Sequence, residues 1–162
     1  MPPAPECIRL LREETRGVLS VLGEGGYPYG TPMNHWYEEE DGCLYFHCGR
    51  AGHRLAALRK CPKASYCVCD RGFRRPEEWA WNVSSVIVFG QVEIIDDLET
   101  VKDITTRFSR KFTQDEDYIR NEVEKFAPGT LLLSNTLCQE TTILYMDFIH
   151  KSTQEEHNFL GN

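Results

Sequence analysis

Leu44-Tyr45-Phe46-His47-Cys48-Gly49-Arg50-Ala51-Gly52-His53-Arg54-Leu55-Ala56-Ala57-Leu58-Arg59-Lys60 is the stretch whose reading decides the fold. A short apolar strand runs through Gly49 and Gly52 into a helix, and Arg50, His53 and Arg54 gather where that helix begins. Glycines let a backbone turn tightly and approach a ligand closely. The start of a helix adds unpaired N–H groups and a positive dipole end, so the order of elements fits a phosphate cradle. Neither GxGxxG nor GK[ST] is present, so the same residues also fit a surface helix with ordinary basic side chains.

Outward from this stretch, the chain reads as one domain. Its 162 residues suffice for a substantial core, and its 41% apolar and 27% charged residues are those of a globular protein. A net charge of -7 argues against nucleic acid as the main partner and makes the basic cluster stand out. No apolar run reaches the roughly 18 residues of a membrane helix. Residues 1–6 lack the basic-then-apolar layout of a secretory leader, which gives an expectation of a cytoplasmic protein. Seven cysteines with no CxxC pair are read as reduced thiols, and no metal site is expected.

Hydrophobic periodicity predicts a helix over 6–15, then strands over 17–22, 27–37 and 43–48, with the acidic run Glu38-Glu39-Glu40-Asp41 as a solvated hairpin tip. After the helix over 53–60, strands are predicted over 63–70 and 83–95. The latter is apolar on both faces, which calls for cover by a helix or a second subunit. Asp96 or Asp97 can cap a helix carrying Leu98, Val101, Ile104, Phe108 and Phe112 at helical spacing. A shorter helix over 118–126 and a strand over 140–149 follow. The expected architecture is mainly β, a barrel of about six antiparallel strands with flanking helices. It forms one domain over 1–152, followed by a polar tail over 153–162.

Three segments carry a resemblance to a known family: Gly30-Thr31-Pro32-Met33-Asn34, the run from Tyr45 to Pro62, and Ser84-Ser85-Val86-Ile87-Val88-Phe89-Gly90. They resemble the FMN-binding split barrels related to pyridoxamine 5'-phosphate oxidase, and within these the nitroimidazole-resistance (Nim-type) flavoproteins. The resemblance implies an FMN-binding split β-barrel that forms a homodimer with the flavin at the subunit interface. It implies that Thr31, Pro32, Met33 and Asn34 run along the flavin ring, that His47 and Cys48 lie near the ribityl chain and phosphate, that His53 and Arg54 meet the phosphate, and that Ser85 places a polar group near the flavin. Arg54 stands where Nim-type proteins usually carry lysine, which keeps the cation but changes a point charge into a planar fork. No arginine follows Leu144, so the substrate-phosphate grip of the vitamin B6 oxidases is not expected. The segment between Gln114 and Thr136 is longer than in Nim-type proteins.

The implied activity is that of an FMN-dependent oxidoreductase moving hydride from NADH or NADPH to a small oxidised acceptor such as a nitroaromatic or quinone. The flavin would carry the chemistry, and His47 is the one side chain suspected of acid or phosphate-binding work. A flavin- or haem-binding protein without turnover, acting in carriage, sensing or sequestration, is the alternative. His35, His47 or His53 could then serve as an axial haem ligand. Trp79 and Trp81 could stack on a ligand or cover the barrel mouth, and either His35 or Trp36 would look into the flavin groove.

Overall fold

A computed structural model describes residues 5–137 and 142–148. The elements run α1 (Pro5–Glu13), β1 (Arg16–Leu22), β2 (Pro28–Asn34), β3 (Trp36–Glu38), β4 (Cys43–Gly49), α2 (His53–Lys60), β5 (Lys63–Cys69), β6 (Trp81–Ile95), α3 (Leu98–Ser109), α4 (Glu116–Phe126), β7 (Thr130–Leu137) and β8 (Thr142–Phe148). The acidic run ends β3 and turns at Gly42, whose φ of +68° suits glycine. Asp97 caps α3 by accepting from Thr100 N, and Asp115 caps α4 by accepting from Tyr118 N. Among the described residues, no helix is long and apolar enough to cross a membrane. The tail over 153–162, and with it the domain end at 152, lies outside the described residues.

The sheet corrects the expected mainly β split barrel of about six antiparallel strands. The strands form one antiparallel path in the order β2-β1-β5-β6-β7-β4-β3, with β8 paired to β6 off that path, in a mixed α/β fold flanked by helices. Among the described residues, no ladder joins the two ends. β2 and β3 are separated by His35 alone, too short a link for a hairpin, so the chain changes partner there from β1 to β4. The sheet forks on β6, which is long enough for Trp81–Ile87 to pair with β8 and Gly90–Ile95 to pair with β7. β7 was not anticipated. Its Leu131-Leu132-Leu133 run is buried on both faces and has no alternation to announce a strand, yet it lies inside the sheet between β6 and β4.

Two cores sit on opposite faces of β4 and β7. Leu44, Phe46 and Cys48 join Leu131 and Leu133 in a core with α1 and α2, while Cys43 and Tyr45 join Leu132 in a core with Val101, Ile104, Ile119 and Val123 of α3 and α4. Because strand side chains alternate, His47 follows Tyr45 onto the α3–α4 face, and Cys48 follows Phe46 onto the other.

The junction at His35 is fully buried. Its Nε2 lies 2.8 Å from the Leu11 carbonyl, which can only accept, so the neutral ring carries its proton there. Nδ1 lies 2.9 Å from the Tyr66 hydroxyl, whose single proton is divided between that nitrogen and the Met33 carbonyl at 2.8 Å. Lys111, just beyond α3, donates to Glu14 O at 2.6 Å, His35 O at 3.1 Å and Leu11 O at 3.2 Å. These bonds occupy His35, which therefore neither faces a groove nor ligates haem. Trp36 is likewise engaged, against the Tyr45 ring and beneath the Arg107 guanidinium.

Burial, reinforced by the Lys111 charge, pushes His35 down to about 3. An unfolded histidine titrates near 6.5, so the unfolded chain takes up the proton first and stability is lost as pH falls from 6.5 towards 3. This group should cost about 2 kcal/mol between pH 7 and pH 5. Urea unfolding at the two pH values should show that loss, and His35→Gln should flatten it. An unchanged slope in the variant would contradict the buried neutral ring.

Candidate functional site

Flavin-type candidates were read from three separate strands and one helix, and the pleat sorts them. Pro32 lies opposite Val18, Val18 opposite Cys67, and Cys67 opposite Ile87, so this row shares one face of the sheet. Asn34, opposite Arg16, and Ser85, opposite Cys69, lie on the same face one step along. His47 joins them through its row with Leu132 and Ile95. Over β4 and β7 the face is covered by α3 and α4. Over β1 and β6 it stands open, with Val18 40% and Phe89 41% exposed.

Thr31 and Met33 point the other way. Thr31 lies opposite fully buried Leu19, and Met33 belongs to the core beneath α1. Thr31 Oγ1 is buried and has no hydrogen-bond partner among the described residues. The four residues from Thr31 to Asn34 therefore present two faces rather than one continuous lining.

The strand-turn-helix after β4 forms as its sequence suggests, but its three basic side chains have different surroundings. Gly52 starts α2 with φ +126°, a conformation open to glycine, and no side chain caps the helix. A Cβ built on Gly49 or Gly52 would meet nothing within 4 Å, so the turn is open to an approaching group. Arg50 is bound to Asp96 at 2.5 Å. His53 lies in a separate cavity of about 70 Å³ with Tyr29, Glu24 and Lys60, its ring 6.2 Å from that of Tyr29. Arg54 reaches Cys48, whose thiol burial pushes up and the guanidinium pulls back down. Its Nε is buried without a partner among the described residues. A buried donor left unpaired is costly, so the Arg54 fork is the cation suited to an incoming anion.

His47 opens onto two adjoining cavities of about 220 and 410 Å³ that share it with Ser109 and Glu122. Asn34 lines the first and Cys48 borders the second, so Asn34 of β2 and His47 of β4 converge here while the Cys48 side chain faces the other core. The His47 ring is exposed at the cavity mouth and meets the Phe108 ring edge-on at 5.1 Å, and the packing on that side lowers its pKa from the usual histidine value. The α3–α4 walls were not recognised as site residues. Their signal was present in the Asp97 cap and the helical spacing of Ile104 and Phe108, but polar Thr105, Ser109 and Glu122 carry no motif. Trp79 and Trp81 are exposed, and Trp81 Nε1 donates to Arg71 O.

A family model described as pyridoxamine 5'-phosphate oxidase matches residues 3–140. No curated protein matches the sequence. Among solved structures, the chain is similar to a Bacteroides thetaiotaomicron protein assigned to 5-nitroimidazole antibiotic resistance (TM-score 0.72, 19% identity, 91% of this chain and 87% of that one). It is similar to the FAD and haem binding protein of Mycobacterium smegmatis (TM-score 0.69, 17% identity, 92% and 73%). A third is an FAD-binding protein of Mesorhizobium loti (TM-score 0.55, 21% identity, 85% and 91%). At these identities the likeness is one of fold.

The open turn at Gly52 makes a local prediction. Gly52→Ala should destabilise the protein by about 1–3 kcal/mol, because a side chain is strained at that backbone conformation even where space is free. Chemical denaturation checks this, and an unchanged midpoint would mean that the turn relaxes.

Proposed function

Because this chain belongs to the pyridoxamine 5'-phosphate oxidase family, we propose that it binds FMN and works as an oxidoreductase, passing hydride from NADH or NADPH to a small oxidised acceptor. The observation that carries the reading is Arg54. Its buried, unpartnered Nε stands at an open glycine turn ahead of an uncapped helix start, as a phosphate site requires.

In this reading Arg54 and the first-turn N–H groups of α2 hold the phosphate, with His53 at the margin. Pro32, Asn34 and Ser85 border the ring from the open face, and the backbone of Thr31 and Met33 offers groups along its edge. Cys48 seats the Arg54 fork from the core side. Neutral His47 holds a hydrogen bond or accepts a proton at the mouth of the adjoining cavities, while Phe108 limits the approach of water. FMN supplies the hydride chemistry, which leaves the protein the tasks of binding, orientation and water exclusion.

The open face of β1, β5 and β6, with Val18, Ile87 and Phe89, supports a homodimer that covers it and the flavin together. A nitroaromatic or quinone acceptor is supported by the fold shared with the nitroimidazole-resistance protein and by the aromatic lining beside His47.

Arg54→Ala should weaken FMN about ten- to a hundredfold and riboflavin little, because the lost contact is to phosphate. Fluorescence titration of both ligands tests this, and equal losses would contradict the assignment. Anaerobic NADH or NADPH should bleach the bound flavin. Flavin that both nucleotides leave oxidised would instead favour carriage or sequestration without turnover.

A further inference from the structure

The two cavities beside His47 contain more chemistry than flavin binding uses. Their linings hold one full charge, the carboxylate of Glu122 on α4, which is half-buried and has no hydrogen bond or ion pair among the described residues. Thr105 Oγ1 is buried in the larger cavity, also without a partner among them. A half-buried carboxylate without a counter-charge is free to take a partner of opposite charge.

The walls point to the shape of that partner. Phe108 and Phe112 stack at 5.6 Å with 21° between their planes. Phe112 is 45% and Tyr118 56% exposed, so large aromatic surface faces the smaller cavity instead of a core. Flat apolar walls with a few placed polar groups suit a planar ring. An unpaired carboxylate among them favours a ring bearing positive charge.

We propose that these cavities take a planar aromatic cation, with Glu122 receiving its charged N–H group and the Phe112 and Tyr118 rings flanking its plane. Of the two acceptor classes proposed above, this favours a nitroaromatic whose ring carries a protonated nitrogen over a quinone, next to the flavin. Only that last role rests on the flavin reading, because binding of the cation needs Glu122 and the aromatic walls alone.

The test compares benzamidinium with its neutral counterpart benzamide by calorimetry on the full chain, with FMN titrated separately. The wild type should prefer benzamidinium by at least about tenfold, or about 1.4 kcal/mol, and Glu122→Gln should abolish the preference. Equal binding of the two probes, no binding of either, or a preference that survives in a folded Glu122→Gln variant would overturn the proposal. The wild-type comparison does not depend on the variant folding. Cation preference without FMN binding would sink the flavin reading and leave this site standing. FMN binding without cation preference would do the opposite.

Discussion

The pleat of β4, buried on both faces, is the constraint from which the rest of the molecule follows. A strand that must place Leu44 and Phe46 in one core and Cys43 and Tyr45 in another cannot slip by one residue without turning both sets into the wrong layer. The same alternation sends His47 towards α3 and α4 and Cys48 towards Arg54. The two sides of the site are thus one strand's consecutive residues, held in register by β7, where His47 meets Leu132 and Cys48 meets Leu131.

The junction around His35 keeps this strand's neighbours in place. A ring that bonds α1 through Leu11 and β5 through Tyr66, with Lys111 tying the end of α3 to the same carbonyls, links the first helix, the bend between β2 and β3, and the helix that walls the cavities. Gly17 belongs to the same packing, since a Cβ there would lie 2.7 Å from the Tyr66 ring. The fold thereby spends its buried polar groups on fixing where α3 stands, which in turn fixes Phe108 against His47.

Much of this was legible in the sequence where local chemistry speaks. The strand-turn-helix from Leu44 to Lys60, the Asp97 cap and the place of the acidic run between β3 and β4 emerged as read, because each depends on residues near one another in the chain, whereas Glu38 is not solvated but paired with Arg107 from α3. What escaped depends on partners far apart. β7 has no alternation because both its faces are covered, His35 is recognisable as a structural residue only once Leu11 and Tyr66 are seen beside it, and the fork at β6 needs β7 and β8 to be known. The run Thr31 to Asn34 was read as one lining, whereas the pleat divides it between two faces. Glu122 was silent for the same reason, since an acidic residue on an amphipathic helix looks solvated until the cavity under it is known.

The account as a whole turns on what meets the Arg54 guanidinium. Titration of the arginine-¹⁵N-labelled protein with FMN and with riboflavin, following the Arg54 Nε–H resonance assigned through Arg54→Lys, observes that contact directly. The account predicts a saturable shift with FMN that riboflavin does not reproduce. FMN that binds without moving this resonance, or that does not bind, would contradict it.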